Sequence, residues 1–487
     1  MRVWIKRLGW MLAFPLVLVV GLVLWLGLKL LFYSQVDDAA HVASKAAYLK
    51  QVATLPQARE RPNVLIILYD DLGLADLGFT GSKAIKTPNI DALARDGVVL
   101  NHYYAAAPFC SPSRAALLTG RLGPRAGLPN VVLPSNDLKR LSNVIPGDNI
   151  RLPAEEITLA DMLGASGYRT AMVGKWHMGD KAPSLPRGFG FQSYFGALYS
   201  NDMEPFALYR DEKIAVPAPA DQTQVDGLYT DEVVKQVTSL KPGEAPFFVY
   251  FAHNFPHIPL YAAPALKGRS AGGLYGDIVE GLDDGVGRIV AALKANGQYD
   301  NTIIILTSDN GPWYEGSAGA MRGRKGQVYE GGMRVPFLIH WPKGLAGGRQ
   351  LDAMAMGNDV VPTLLDWIGL QPPADRVIDG KSLRPMLEGR AAAVHDLLYF
   401  YSGNRLMAVS DGRFKYHDKG PYHYLVSGVG FSLPTQQGPW LFDLSVDADE
   451  SYNVAMKHPE IATRLKAALD ARNAEMKSNP RGWKDKG

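Results

Sequence analysis

Pro62-Asn63-Val64-Leu65-Ile66-Ile67-Leu68-Tyr69-Asp70-Asp71-Leu72-Gly73 decides the fold. The unbroken apolar run Val64–Tyr69, bounded by Pro and Gly, predicts a strand buried on both faces, as parallel sheets require. It stops at two carboxylates. Thr302-Ile303-Ile304-Ile305-Leu306-Thr307 is equally apolar and stops at Ser308-Asp309-Asn310-Gly311. In open α/β sheets ligands gather beyond the carboxyl ends of strands. Two adjacent acids in isolation read as a solvated loop. Their repetition predicts that Asp70, Asp71, Asp309 and Asn310 converge as hard oxygen donors, which select calcium or magnesium over zinc.

The stretches around this pair alternate as βαβ units do. Thr158 opens a short helix, Arg169–Val173 is a strand, and Gly174-Lys175-Trp176-His177 follows it. If the extended geometry continues, Lys175 and His177 point to one side. Pro246–Phe251 is another strand, leading to His253 and His257, either of which has a plain role as a cap of the sheet. Met321–Pro336 is Gly-rich and basic around Lys325, a composition that can wrap an anion. Beyond a helix at Val360–Ile368 the character changes to short runs at Leu397–Tyr401, Leu406–Ser410, Arg413–His417 and Trp440–Leu444, an antiparallel pattern closed by an amphipathic helix at His458–Met476. The stretch Gly420–Pro439, rich in Tyr, Gly and Ser, reads as a border of the pocket or a surface insertion.

Arg2, Lys6 and Arg7 precede Leu8–Leu28, an uncharged run long enough for roughly 31 Å of helix. Its length, with Lys29 rather than a small-residue cleavage site after it, predicts an uncleaved single-pass transmembrane anchor, N-terminus in the cytoplasm and the rest outside. The chain has one cysteine and no Asn-x-Ser/Thr sequon, which leans toward a bacterial inner membrane facing the periplasm. Lys and Arg number 51 against 48 Asp and Glu, for a net charge of +3, so no nucleic-acid or other polyanion partner is implied. The expected organisation is a cytoplasmic stub and anchor over 1–35, a partly helical linker over 36–61, a catalytic domain over 62–375 and a C-terminal subdomain over 376–487. The sequence carries no reading of oligomeric state.

Phe109-Cys110-Ser111-Pro112-Ser113-Arg114 runs into Ala115-Ala116-Leu117-Leu118-Thr119-Gly120-Arg121. Ser111 is a good N-cap, Pro112 fits the first helical position, and Gly120 suits a left-handed C-terminal cap. This predicts Cys110 just ahead of a helix N-terminus, where unpaired N–H groups favour an anion, with Arg114 one turn on. An isolated cysteine is ordinarily a buried small hydrophobe. Here Cys-x-Pro-x-Arg followed by Ala-Ala-Leu-Leu-Thr-Gly-Arg resembles the signature of the type I sulfatases, and the similarity covers about Pro62 to Pro342 in chain order, nearest to arylsulfatase A-like enzymes.

The resemblance implies an alkaline phosphatase-like α/β fold, a large mixed, mostly parallel sheet flanked by helices, with a small antiparallel C-terminal subdomain. It implies that Cys110 is converted by a formylglycine-generating enzyme to formylglycine, whose hydrate attacks the sulfur of a sulfate ester. One Ca2+ or Mg2+ is then held by Asp70, Asp71, Asp309 and Asn310 together with residue 110. Arg114 stabilises the hydrate, Lys175 and Lys325 bind the sulfate oxygens, His177 is the base for the hydrate, and His257 binds sulfate and protonates the leaving alcohol. Ser200, in Gly196-Ala197-Leu198-Tyr199-Ser200-Asn201-Asp202, matches a serine near the substrate. The expected function is a sulfuric ester hydrolase. The alternatives are a phosphate or phosphonate ester hydrolase of the same superfamily and an inactive protein that captures sulfated ligands.

Overall fold

Five strands carry the edge on which the site is built: Asn63–Tyr69 (β1), Arg169–Gly174 (β2), Phe247–Ala252 (β3), Thr302–Ser308 (β4) and Phe337–His340 (β5). The computed structural model describes residues 2–56, 60–426 and 431–484, with side chains left undescribed over 2–13, 15–16 and 421–436. β1 lies between β3 and β4, parallel to both, and β2 runs parallel to β3. β5 is antiparallel to β4, and shorter strands extend the sheet to ten among the described residues. The apolar runs predict the parallel strands, and the mixed, mostly parallel sheet they form is the one the resemblance implies.

Those runs are continuous because both faces are covered. Val64, Ile66 and Leu68 pack on one side with Leu117, Leu118, Val360 and Leu364, from the helices Cys110–Thr119 and Val360–Ile368. Leu65, Ile67 and Tyr69 pack on the other with Val225, Val233, Ile278 and Leu282, from the helices Val225–Thr238 and Gly273–Ala295. Thr158 caps the helix Leu159–Ala165, with Thr158 and Asp161 forming a reciprocal capping box.

The C-terminal part forms a four-stranded antiparallel sheet of Leu398–Ser402, Arg405–Ser410, Phe414–His417 and Trp440–Asp443, with Leu465 and Leu469 of the helix Pro459–Ser478 buried against it. Its core is shared with Tyr104, Ala116, Leu122, Tyr329 and Met333, so a boundary at 375/376 cuts through packing rather than between two cores. Gly420–Val426 and Phe431–Gln437 pair as a hairpin. The side chains on which the pocket-border reading of 420–439 rests lie outside the described residues.

The linker over 36–61 is not a free tether. Ala39–Ala53 is a helix whose flank docks on the catalytic domain: Asp37 pairs with Arg151 at 2.7 Å, Lys45 with Asp161 at 2.9 Å, and Tyr48 donates to the Gln371 carbonyl at 2.7 Å. Ala-rich composition reads alike for a tether and a docked helix; Val52, buried, and the ion pairs distinguish them. Arg2–Phe32 is helical. Among the described residues no helix is long and apolar enough to cross a membrane, and much of the first half of Leu8–Leu28 lies outside the described side chains.

A buried ionic cluster ties the subdomain to the Lys325 loop. Lys415 donates to Glu330 at 2.9 Å, Tyr104 donates to the other Glu330 oxygen at 2.9 Å, and Glu450 accepts from the Glu330 backbone N–H at 2.6 Å and pairs with His417 at 2.7 Å. Truncating one partner leaves a buried charge uncompensated. Lys415→Met is therefore expected to lower unfolding free energy by about 3–5 kcal/mol in a denaturant titration; a loss within experimental error would contradict the coupling.

His340, at the end of β5, is buried, and the Asp96 backbone is the polar group beside its ring, too weak a partner to offset burial. Burial lowers its pKa from 6.5, so the unfolded chain takes up a proton that the folded chain refuses. The associated stability is present above about pH 6.5 and is lost as the pH falls below it. His340→Phe is expected to gain in Tm relative to the parent between about pH 7.5 and pH 5; a gap that stays constant with pH would count against a neutral buried imidazole.

Candidate active site

Register brings the site together. Tyr69 pairs with Ser308, while Leu68 and Gly174 both pair with Ala252, so β1, β2, β3 and β4 end at one level. The residues that follow them, Asp70 and Asp71, Lys175 and His177, His253 to His257, and Asp309 and Asn310, leave the sheet together. Asp71 adopts φ +65° and His177 φ +58°, a left-handed backbone that side-chain-bearing residues seldom take outside functional turns. The extended geometry therefore does not continue past Gly174 as the spacing of Lys175 and His177 suggested. The chain turns there, and both side chains still reach the site.

Cys110 is the first residue of the helix Cys110–Thr119, not the residue ahead of it. Phe109 takes the N-cap position, where its apolar side chain makes no hydrogen bond, and Ser111 Oγ is engaged elsewhere, accepting from Val132 N–H at 3.0 Å. Gly120 closes the helix at φ +72°, as expected. Cys110 Sγ lies 3.5 Å from Asp70 Oδ1. Burial and Asp70 push the thiol pKa far up, so unmodified Cys110 stays protonated and is a poor nucleophile.

Ligand atoms of Asp70, Asp71, Cys110 and Asp309 all lie within 4.8 Å of one another, and all four residues are buried. Asn310 Nδ2 donates to Asp71 Oδ1 at 2.7 Å and also to Gly311 O, while Asn310 Oδ1 is buried with no hydrogen-bond partner. An orphan acceptor beside three carboxylates is costly unless a cation takes it. The donor set fits a hard divalent ion.

Cations interlock with these carboxylates. Arg114, fully buried, donates from Nε to Asp309 Oδ2 at 2.9 Å, and its Nη2 lies 2.9 Å from the same oxygen; Nη1 donates to the Lys175 carbonyl at 2.7 Å. Lys175 ion-pairs with Asp70 and donates to Ser200 Oγ. Lys325 reaches both Asp71 oxygens, at 2.8 and 3.0 Å. Burial favours the neutral form of Asp70, yet Lys175, His257, Arg114 and Lys325 together hold it well below the usual carboxylate range. Asp309 goes the other way, pushed up to about 7 by burial and Asp70 against the pull of Arg114. Burial likewise opposes charge on Lys325, but Asp71 keeps it firmly protonated.

The histidines divide by environment. Burial, then Lys175 and Arg114, drive the His177 pKa well below its ordinary value. Its Nε2 sits 3.1 Å from the Val132 carbonyl, which only an N–H can satisfy, so Nε2 carries the proton and the buried, unpartnered Nδ1 is left as an acceptor. His257 is also held neutral by burial and Lys325; its Nδ1 donates to the Ile258 carbonyl and its Nε2 is 3.7 Å from Asp71. His253 is the structural one, accepting from Phe255 N–H at 2.9 Å and facing Asp226 at 3.3 Å. All eleven sequence-selected positions thus gather here. What the sequence did not reveal is the strap at Val131–Leu133, which orients His177 through a carbonyl and so leaves no side-chain signature; Tyr199, an aromatic that the sequence offers for an aryl-accepting pocket, sets its ring edge to face against the imidazole at 5.6 Å.

Comparison with known proteins agrees with this geometry. A family model described as Sulfatase matches residues 62–370, and one described as N-sulphoglucosamine sulphohydrolase, C-terminal, matches 324–475. N-acetylgalactosamine-6-sulfatase of Mus musculus is 36% identical over 74% of this chain and 72% of its own length. Arylsulfatase A of Homo sapiens is 34% identical over 88% of this chain and 92% of its own. The solved PsFucS1 sulfatase of Pseudoalteromonas sp. superposes with a TM-score of 0.76 at 28% identity, covering 92% of this chain and 96% of that one. These relatives do not favour a phosphate or phosphonate ester hydrolase. The chain belongs to the sulfatase family and is an enzyme that hydrolyses sulfate esters.

Proposed function

We propose an arylsulfatase-like sulfuric ester hydrolase that works through formylglycine made from Cys110 by a formylglycine-generating enzyme, with one Ca2+ or Mg2+ held by Asp70, Asp71, Asp309 and Asn310. The carrying observation is the closed cluster around Cys110, in which the carboxylates of Asp70, Asp71 and Asp309 are matched by Arg114, Lys175 and Lys325. Three carboxyl groups face three cations, and with the Asp309 carboxyl pushed up to about 7 the cluster carries no excess of negative charge. A divalent ion bound there would act as a Lewis acid and add net positive charge suited to an anionic ester. A formylglycine hydrate would supply the attacking hydroxyl that the protonated thiol of Cys110 does not.

The chain's own residues do the rest. Lys175 and Lys325, which pair with Asp70 and Asp71, would bind the sulfate oxygens with Ser200 beside them. Arg114 remains charged and holds the group at position 110 in register with Asp309. His177, neutral and with Nδ1 buried and unpartnered, would accept a proton from the group at position 110. His257 holds a proton for the leaving oxygen; the ester's negative charge offsets the repulsion of Lys325 that keeps it neutral in the free enzyme.

The helix Arg2–Phe32 anchors the chain as a single pass in a bacterial inner membrane, with residues 36–487 in the periplasm. Exposed Val17, Leu18, Val23, Leu24 and Leu28 support this reading, as do Arg2, Lys6 and Arg7 at its start. The division into catalytic domain and C-terminal subdomain, 62–375 and 376–487, is organisational only.

The deciding experiment is a pair of steady-state rates on an aryl sulfate and the matching aryl phosphate, with the mass of the Cys110 peptide checked for conversion. A kcat/KM strongly favouring sulfate is expected. Converted protein that prefers phosphate would overturn the arylsulfatase reading.

A further inference from the structure

We propose that the segment Leu138–Ile145 is a membrane-docking face that holds the catalytic domain against the lipid surface. The proposal rests on the anchor reading above. Tyr33 donates to the Asp148 carbonyl at 2.7 Å, and the Gln35 side chain accepts from the N–H groups of Ile150 and Arg151 at 3.0 and 3.2 Å. The N-terminal helix packs against the short helix Leu141–Val144. Leu26, Leu30 and Tyr33, spaced four and three apart, are half-buried, whereas Leu28, Leu31 and Phe32 are 55%, 77% and 72% exposed. The domain is thus held beside the helix from Leu26 to Tyr33, a span of about 10 Å. That span begins inside the apolar run, which ends at Leu28.

The helix marks the same level in another way. Lys29 Nζ lies 5.8 Å from the Trp25 ring, and an aromatic paired with a snorkelling cation is what helices place at the boundary between hydrocarbon and headgroups. Flanking the short helix that packs on this end of the N-terminal helix are Leu138, 72% exposed, and Ile145, 48% exposed, with half-buried Asp137, exposed Lys139 and half-buried Arg140 around Leu138. Two apolar tips with a pair of cations between them suit an acyl boundary carrying anionic headgroups, where each basic residue contributes about 1 kcal/mol. Pro134, Ser135 and Asn136, separated from the segment by Asp137, line a cavity of about 340 Å³ together with Tyr199 and Ser200. Docking sets that wall of the cavity at the lipid surface.

The test uses the full chain reconstituted in vesicles of phosphatidylethanolamine and phosphatidylglycerol, with a fluorophore on a single introduced cysteine and a quencher carried on the lipid chains. The positions are Leu28→Cys, Leu138→Cys, Ile145→Cys and Leu274→Cys, the last on the helix covering the opposite face of the sheet. Unsubstituted chain controls for reaction at Cys110, which is buried. Loss of fluorescence at 28, 138 and 145, with none at 274, is expected. Quenching at 28 with none at 138 and 145 overturns the docking face and leaves the anchor standing. No quenching at 28 overturns the anchor and the docking face with it.

Discussion

Cys110→Ala is expected to remove turnover of an aryl sulfate, by a factor on the order of 10⁴ to 10⁶ in kcat, while leaving a folded protein. The two halves of this expectation have separate causes. Alanine is the best helix former, and position 110 is the first residue of a helix whose other side chains supply its packing, so the substitution removes one buried sulfur and its 3.5 Å contact with Asp70. The cost in stability is about 1 kcal/mol, and the far-UV spectrum and Tm should stay close to the parent's. Catalysis has no such tolerance. In the proposed mechanism Asp70, Arg114, Lys175 and Lys325 serve to bind and stabilise charge and His177 to accept a proton, so none of them replaces the attacking group at position 110. A variant of unchanged fold that keeps a tenth or more of parental kcat would sink the assignment of residue 110.

Position 110 stands out in the sequence because the stretch around it carries its signature in consecutive residues. The carboxylate pairs were readable for a different reason: a strand buried on both faces is apolar throughout, so Asp70 and Asp309 mark where β1 and β4 leave the core, and one register serves both. Features that depend on a distant partner were not readable. Ser111 looks like an N-cap until Val132 N–H claims its oxygen. Val36–Arg61 looks like a tether until Lys45 finds Asp161 and Asp37 finds Arg151. Glu330, Lys415 and Glu450 come from separate segments and look like ordinary surface charges; only the folded chain shows them buried against one another.

Asp309→Ala and Asp309→Asn are expected to separate metal binding from structural support. Asp309 accepts from Arg114 and from the Asp71 N–H at 3.3 Å, so alanine leaves a fully buried guanidinium with only the Lys175 carbonyl and Asp70, 3.7 Å away. An uncompensated buried charge costs about 3–5 kcal/mol. One effect opposes this. Burial and Asp70 already push the Asp309 carboxyl up to about 7, so removing it relieves repulsion among the carboxylates of the metal-free cluster. The Arg114 contacts are direct and charge-assisted, so the loss should prevail and Asp309→Ala should melt lower than the parent even in EDTA. Asparagine keeps an acceptor of the same size for Arg114 and should recover most of that Tm. It lacks the charge that a divalent ion requires, so both variants should lose aryl sulfate turnover and the rise in Tm that the parent shows on adding Ca2+ or Mg2+. If Asp309→Asn gave the same metal-dependent rise in Tm as the parent, Asp309 would be a partner of Arg114 alone, and the ion would have to sit elsewhere among Asp70, Asp71 and Asn310.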